Sequence, residues 1–259
     1  MNAFTREQRR TTFDDVAELY ERVRPDYPER LVDDVVWLSG LPPAGRILEI
    51  GAGTGKATLP FARRGYPMLC LEPGSRMAAV AAPKLANFPE VRIEGRTFED
   101  WGPPRGDLDL VMAAQSFHFV DPAIGLPKVA AALRPGGAVA LFGYRPRRDG
   151  SPALARLQQA YARHAPELLA RDAEPPIEER IDATGLFGTV VRASYQGSFE
   201  YSVADYVALM ETQSNHRLLP ADRRERLLAA IGDVITELGG TITIEHDLEL
   251  KLARRRATG

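Results

Sequence analysis

The chain has 259 residues, of which 33 are Lys or Arg and 35 are Asp or Glu, and its net charge is −2. This near balance gives no electrostatic reason to expect a nucleic-acid partner, and a hydrophobic content of 44% is enough for a full core. No stretch is long and apolar enough to cross a membrane, and residues 1–10 lack the apolar segment of a signal peptide, so we expect a cytoplasmic protein. The single cysteine, Cys70, allows no intrachain disulfide and no cysteine metal cluster, and we expect no metal.

A helix is predicted near the amino end. Phe13, Val16, Tyr20 and Val23 recur at helical spacing, and Pro25 pushes the residue before it toward an extended conformation. The pattern predicts a helical segment over residues 1–40, ahead of the first strand.

The first strand, residues 46–50, leads into a loop that has glycine at every second position. These glycines are Gly51, Gly53 and Gly55. Glycine adopts positive φ and carries no Cβ, so backbone built from it can approach a ligand closely. The loop therefore predicts a ligand site where the strand ends.

Two nucleotide-binding patterns come close to this loop and fail. A P-loop requires four residues between its first glycine and a Gly-Lys pair that precedes Ser or Thr. Here Gly51 and Gly55-Lys56 stand one residue too close, and Ala57 has no hydroxyl for magnesium. The dinucleotide fingerprint would need its third glycine where Lys56 or Thr58 stands.

Glu49 stands just before the loop, where it would repel a pyrophosphate and attract a cation. A sulfonium without phosphate, such as S-adenosylmethionine, suits this acid. The sequence resembles the class I S-adenosylmethionine-dependent methyltransferases, whose first motif, acid-x-Gly-x-Gly-x-Gly, matches Glu49, Gly51, Gly53 and Gly55 in register. The resemblance implies that these residues and Ala52 bind S-adenosyl-L-methionine as cofactor.

Strand-like runs and helical patterns alternate along the rest of the chain, which predicts a parallel sheet covered by helices on both faces. The resemblance implies an α/β fold, namely a doubly wound, seven-stranded, mostly parallel Rossmann-like sheet with an antiparallel last strand and a helical cap. The predicted strands are 46–50, 67–72, 91–94, 108–113, 137–143, 189–201 and 241–252, and the helices between them lie near 56–64, 75–86 and 123–133.

Glu72, with Pro73 after it, ends the second strand roughly twenty residues beyond the loop, the spacing at which a carboxylate receives ribose hydroxyls. It can also be read as an acid before a helix that begins at Ser75. The resemblance implies adenine contacts after the third strand, with Phe98 covering the ring and Glu99 accepting from the exocyclic amine, although such acids are usually solvated surface.

The fourth strand, 108–113, delivers polar residues past its carboxyl end, where open parallel sheets bind ligands. Relatives commonly show Ala-Gln-x-x-His-Trp here, and this chain has Ala114, Gln115, His118 and Phe119. The resemblance implies cofactor contacts from Ala114 and Gln115 and acceptor contacts from His118 and Phe119. An imidazole titrates near neutral pH, so His118 is the candidate general base, or equally a hydrogen-bonded structural histidine.

The fifth strand is preceded by residues 133–137, Leu-Arg-Pro-Gly-Gly, whose chemistry predicts a helix stop and a turn. Later, Ser202 and Asp205 form a capping-box signal for a helix, and a long apolar stripe predicts another helix that ends at Gly239-Gly240. The arginines at 254–256 are expected to be a solvent-facing run on a tail.

The amino end resembles the small-molecule branch of the family related to trans-aconitate methyltransferases. The resemblance implies that Tyr20, Arg24 and Tyr27 form a lid over the cofactor, with Arg24 near its carboxylate, although the tyrosines can equally be core anchors. Tyr27 and Tyr144 are acceptor-site candidates. We expect one domain over 1–259, built from the lid at 1–40, a cofactor-binding core at 41–143, a cap at 144–220 and a last helix and strand at 221–259.

The proline-punctuated insertion after Tyr144 is expected to cap the acceptor pocket, or else to be a plain surface excursion. Ser214 and His216 belong to a polar cluster that can line that pocket. The resemblance implies transfer of a methyl group to a small-molecule metabolite or natural product at oxygen, without nucleic-acid or membrane partners. A non-catalytic S-adenosylmethionine-binding protein is the alternative, and a nicotinamide-dependent oxidoreductase is disfavoured by Glu49 and the missing glycine. The acceptor and the oligomeric state are not readable from the sequence.

Overall fold

The computed structural model describes residues 4–102, 106–121, 123–147, 151–170 and 175–257. The inserted residues 148–150 and 171–174, which belong to the predicted cap, lie outside this described part. The chain divides into two compact units. The helical unit comprises Met1–Arg24, Arg145–Glu174 and Gln196–Asp247, and the sheet unit comprises Pro25–Tyr144, Pro175–Tyr195 and Leu248–Gly259.

Seven strands form one sheet in the order β3-β2-β1-β4-β5-β7-β6. The pairs β1–β2, β2–β3, β1–β4 and β4–β5 are parallel, and the last strand is antiparallel. This arrangement confirms the predicted doubly wound, mostly parallel sheet. The strands are β1 (Ile47–Ile50), β2 (Met68–Leu71), β3 (Val91–Glu94), β4 (Leu108–Ala114), β5 (Leu133–Pro146), β6 (Val191–Ser202) and β7 (Thr241–Arg254).

The short central strands are buried because helices cover a parallel sheet on both faces. Successive side chains of β1 point to opposite faces. Leu48 and Ile50 therefore join one apolar cluster, while Ile47 joins a second cluster that includes Met68 and Cys70. Glu49 alternates to the same face as Ile47, which explains why this carboxylate is fully buried.

Helices connect the strands and make up most of the helical unit. The predicted cap of α9 is confirmed, because the Ser202 hydroxyl accepts from the Asp205 amide, and Gly240 closes α11 by donating to the Ile235 carbonyl. The helices are α1 (Arg6–Arg10), α2 (Ala17–Val23), α3 (Glu29–Ser39), α4 (Thr58–Arg63), α5 (Ser75–Leu85), α6 (Gly125–Ala132), α7 (Pro152–His164), α8 (Ile177–Ala183), α9 (Val203–Glu211), α10 (Ser214–Arg217) and α11 (Ala221–Glu237).

The fifth strand begins earlier than predicted. Helix α6 ends where expected, but β5 starts at Leu133, opposite Leu108, and its register against β4 then shifts before Leu110 pairs with Ala138. The predicted Pro-Gly turn therefore lies inside β5 as an irregularity of the strand, with Gly136 at φ 79°. Turn residues alone do not reveal that a neighbouring strand offers pairing partners on both sides of such an irregularity.

Arg254 and Arg256 are exposed, as expected for a solvent-facing run, but the expected tail is wrong. β7 extends to Arg254, whose guanidinium donates to the Leu38 carbonyl at 2.9 Å. Arg255 donates to the Leu133 carbonyl, and Arg256 donates to a third backbone carbonyl, that of residue 187, at 2.6 Å. These guanidiniums therefore satisfy backbone acceptors of the sheet unit.

Within the described ranges, no helix combines the length and apolar character needed to span a bilayer. The same part of the chain holds no group of three or more His, Cys, Asp or Glu side chains placed to bind a metal ion.

Candidate functional site

The strand order reverses between β1 and β4, and the loops that follow these two strands meet at the carboxyl edge of the sheet. The Ser116 hydroxyl, just past β4, donates to the Ile50 carbonyl at the end of β1. On the other side, the amide of Gly51 donates to the Leu71 carbonyl at the end of β2, at 2.8 Å. This is the crevice where doubly wound sheets bind ligands.

The three alternating glycines of the loop after β1 all have positive φ, at 70° for Gly51, 58° for Gly53 and 82° for Gly55. A Cβ at Gly51 would lie 2.6 Å from the Cβ of Ser116, and one at Gly55 would lie 3.3 Å from that of Ala81. A Cβ at Gly53 would meet no atom within 4 Å. The outer glycines are thus packed against protein, whereas Gly53 faces open space.

Glu72 ties the glycine loop to the turn that follows β2. Its Oε2 accepts from the Gly53 amide at 2.7 Å and its Oε1 from the Gly74 amide at 2.8 Å. Its neighbour Pro73 is exposed at the same edge. The ribose contact predicted for Glu72 stays a prediction.

Glu49 is fully buried beneath the loop. Its Oε2 accepts from the Thr58 hydroxyl at 2.6 Å and lies 3.8 Å from the Cys70 thiol, whereas its Oε1 has no hydrogen-bond partner among the described residues. Burial disfavours the charged form and raises the pKa of Glu49 to about 7. Ala52, the other predicted contact of this loop, is also buried. The cofactor contacts of both residues stay predictions.

The turn after β4 carries a strained backbone. Gln115 has φ 58°, which is rare for a residue with a side chain, and its amide donates to the Phe142 carbonyl at 2.9 Å. Gly143 permits this placement, because a Cβ there would lie 2.6 Å from the Cγ of Gln115. Ala114, the residue before it, is half-buried. Sequence reasoning missed Gly143, although a glycine inside a strand signals a close approach.

His118 lies on a short 3-10 turn, Phe117–Phe119, directly beyond Gln115 and Ser116. Phe117 is buried and anchors the turn, while the His118 side chain is exposed, with its ring centroid 3.9 Å from that of Phe119. The imidazole is therefore accessible from solvent. Its role as the base and that of Phe119 as an acceptor contact stay predictions.

Phe98 belongs to the core rather than to the open edge. Its ring is 2% exposed, stacks on Trp101 with centroids 6.0 Å apart, and has the Lys128 ammonium 5.2 Å from its centroid. A ring so buried offers no free face to an adenine, so the structure does not support this predicted contact. The adjacent Glu99 is half-buried, and its Oε1 accepts from the Asp121 amide at 3.1 Å.

The structure brings Tyr27 and Tyr144 together within the sheet unit. Their rings stack with centroids 5.6 Å apart at 17°, and Tyr27 packs edge-on against Phe142 at 5.1 Å. The Tyr144 hydroxyl donates to the Asp26 carbonyl at 2.6 Å. The two predicted acceptor-site tyrosines thus form one half-buried aromatic group near the carboxyl end of β5.

Tyr20 and Arg24 contact each other in the helical unit. The guanidinium carbon of Arg24 lies 5.0 Å from the centroid of the Tyr20 ring. Nε of Arg24 donates to the Thr212 hydroxyl at 2.9 Å, and Nη2 donates to the Thr212 carbonyl at 3.0 Å. The lid over the cofactor that the sequence suggests for these residues stays a prediction.

Ser214 and His216 lie on α10 in the same unit, and both are buried. The Ser214 hydroxyl accepts from Arg9 at 3.4 Å, and Nε2 of His216 lies 2.8 Å from the Tyr161 hydroxyl. Nδ1 of His216 has no hydrogen-bond partner among the described residues. Burial, followed by the nearby Arg24 charge, lowers the pKa of His216 to about 4. Their acceptor contacts stay predictions.

Residues 47–137 match a protein family described as a methyltransferase domain. Over 226 residues the chain is 30% identical to an uncharacterized methyltransferase of Mycobacterium tuberculosis strain H37Rv. The alignment covers 86% of this chain and 85% of that protein. It is also 30% identical over 149 residues to a trans-aconitate 2-methyltransferase of Variovorax paradoxus, covering 57% of this chain and 56% of that protein.

Solved structures share the same fold at low sequence identity. A phosphoethanolamine N-methyltransferase 2 of Haemonchus contortus, in complex with S-adenosyl-L-methionine, superposes with a TM-score of 0.54 at 16% identity. The superposition covers 94% of this chain and 57% of that one.

Proposed function

Because this chain belongs to the class I S-adenosylmethionine-dependent methyltransferase family, we propose that it transfers a methyl group from S-adenosyl-L-methionine to an oxygen of a small-molecule acceptor. The observation that carries the proposal is the open space at Gly53, beside the carboxylate of Glu72, at the edge where β1 and β4 end. A ligand can approach the backbone there, while the flanking glycines are held by protein contacts.

The residues at this edge fit the cofactor chemically. Backbone at Gly53 can approach the ligand closely, and the carboxylate of Glu72, whose Oε2 accepts from the Gly53 amide, is a hydrogen-bond acceptor of the kind that ribose hydroxyls need. Lys56, the lysine that follows the glycine loop, pairs with Asp26 at 2.8 Å.

The small-molecule acceptor is supported by the relative named trans-aconitate 2-methyltransferase, whose alignment covers 57% of this chain. It is supported also by the aromatic pair Tyr27–Tyr144, whose half-buried rings offer apolar faces to a small acceptor. Pockets in one fold diverge freely, so the acceptor has to be found by assay.

When bound, the cofactor supplies a methyl group on a sulfonium, and methyl transfer is an in-line displacement with a neutral leaving group. Holding the two reactants in line contributes about 7 to 11 kcal/mol, whereas a positioned base adds roughly 10²- to 10⁴-fold. Positioning is thus the larger effect. For the smaller effect, we propose exposed His118 as the base that takes the proton of an acceptor hydroxyl.

Two measurements test the function in sequence. Calorimetry with S-adenosylhomocysteine is expected to show binding, while NAD and ATP serve as competitors that should not bind. Incubation with methyl-labelled cofactor and a metabolite extract should then yield a labelled small molecule. Binding without any labelled product would favour the non-catalytic alternative, and tight uptake of NAD with no S-adenosylhomocysteine binding would refute the proposal.

A further inference from the structure

Lys56 is the residue that gives the glycine loop its partial likeness to a P-loop, yet its ammonium is committed to a protein carboxylate. Nζ of Lys56, directly after Gly55, lies 2.8 Å from Oδ1 of Asp26. The two partners differ in burial, because the Lys56 side chain is 11% exposed and that of Asp26 is 82% exposed. A lysine placed in this way serves as an anchor in the protein, and the acid is the group that it fastens.

Asp26 is held from a second direction through its backbone. Its carbonyl accepts from the Tyr144 hydroxyl at 2.6 Å, and Tyr144 follows Gly143 near the end of β5. In the sheet, β4 lies between β1 and β5. The chain at Asp26 is therefore held both by the loop that follows β1 and by the end of β5. These two elements lie on either side of β4, the strand that Gln115 and His118 follow.

The contacts of Asp26 with Lys56 and Tyr144 also help to place the side chain of the next residue, Tyr27. Tyr27 stacks on Tyr144 and packs edge-on against Phe142, so its ring sits on the aromatic end of β5. Pro25 and Pro28 flank Asp26 and Tyr27, and Pro28 restricts the backbone of Tyr27 before it. We call residues 25–28 the strap.

We propose that Lys56 and Tyr144 are positioning residues that fasten the strap across the carboxyl edge of β4 and thereby slow release of the bound cofactor. This inference rests on the proposed function, since it assumes that the cofactor lies in the crevice between β1 and β4. Exposed ion pairs are usually worth little, but this pair has one buried partner, and the Tyr144 hydroxyl supplies an independent second tie.

The test measures the affinity and the dissociation rate of S-adenosylhomocysteine for the full chain, together with the melting temperature. Asp26→Asn removes the charge of the ion pair, and Tyr144→Phe removes the hydroxyl while keeping the stacked ring. Each is expected to speed dissociation about fivefold, with little change in the melting temperature. Asp26→Glu and Lys56→Arg keep the charges and should restore most of the wild-type rate.

Two matched variants in the sheet unit control for general loss of an ion pair or a hydroxyl. Asp33→Asn breaks the pair with Arg64, whose Nη2 lies 2.6 Å from Asp33 Oδ1, and Tyr195→Phe removes a hydroxyl that donates to Asp34 at 2.6 Å. Neither should change the dissociation rate. Added salt should speed release from the wild type more than from Asp26→Asn, because only the wild type has the pair to screen.

The outcomes separate the strap from the proposed function. If the wild type does not bind S-adenosylhomocysteine, the proposed function fails and the strap fails with it. If the wild type binds, and Asp26→Asn and Tyr144→Phe release the ligand at the wild-type rate, only the strap is overturned. Equal effects in the two control variants would overturn it as well. Should Tyr144→Phe not fold, the Asp26→Asn rate and its salt dependence decide the question.

Discussion

Glu49 in the sheet unit and His216 in the helical unit are buried titratable side chains, each with one polar atom that has no hydrogen-bond partner among the described residues. Burial acts on both and disfavours the charged form, yet it raises the pKa of Glu49 to about 7 and lowers that of His216 to about 4. The same physical cause thus makes these two side chains contribute to the pH dependence of stability in opposite directions.

The largest expected effect is this opposite pH dependence of stability. Between pH 4.5 and 7 the folded Glu49 carboxyl binds more protons than the unfolded one, so its contribution to stability falls as pH rises. Between pH 4 and 6.5 the unfolded His216 binds more protons, so its contribution falls as pH falls. Each amounts to about 3 kcal/mol across its window.

Denaturant unfolding from pH 4 to pH 8 measures both contributions. Glu49→Gln should gain stability relative to the wild type toward pH 8, and His216→Gln should lose less than the wild type toward pH 4. Curves that stay parallel to the wild type over the whole range would contradict the assignment for the residue concerned.

A second comparison is between two histidines, one exposed and one half-buried. His118→Ala is expected to leave S-adenosylhomocysteine affinity unchanged and to lower the rate of labelled-methyl transfer about 10²-fold, because the proposed base is lost. His164→Ala, at a half-buried site on α7, is the matched control and should keep the wild-type rate. An unchanged rate and pH profile in His118→Ala would reduce His118 to a packing role.

Two carboxylates of the sheet unit, Glu72 and Glu94, are expected to differ in their contribution to S-adenosylhomocysteine affinity. Glu72→Ala removes the backbone contacts that tie the glycine loop, at Gly53, to the turn after β2, at Gly74, and should weaken S-adenosylhomocysteine binding by about thirtyfold, or about 2 kcal/mol. Glu94→Ala, at the end of the neighbouring strand β3, loses only a half-exposed pair with Arg96 and should bind normally. Calorimetry on both variants decides, and equal affinities would remove the assignment of Glu72.

The smallest expected effect separates two glycines of one loop. Gly51→Ala adds strain and a Cβ that lies 2.6 Å from Ser116, whereas Gly53→Ala adds strain alone. Gly51→Ala should therefore be less stable than Gly53→Ala by about 1 kcal/mol in denaturant unfolding. Gly53→Ala should instead lose cofactor affinity, because its methyl group occupies open space. Unaltered affinity there would place the ligand elsewhere.

Much of the fold could be predicted because apolar runs bounded by Gly and Pro define strands locally. β3 is found at Val91–Glu94 as predicted, and β2 at Met68–Leu71 lies within the predicted run. The early start of β5 at Leu133 could not be predicted, since it depends on pairing with β4. Among the candidate site residues, Glu72 is predicted from its spacing beyond the glycine loop. Lys56 stands out in the sequence because it follows Gly55, but the sequence does not show that Asp26 is its ion-pair partner.

The sequence by itself determined the family, because the register of Glu49 with three alternating glycines and the later Glu72 is a local pattern that needs no folded structure. Only the tertiary structure decided which polar atoms have partners and which are buried without one. The contacts of Glu49 with Thr58 and Cys70, and of Asp26 with Lys56 and Tyr144, join segments far apart in the chain. Burial, and with it the sign of a pKa shift, exists only once such segments pack together.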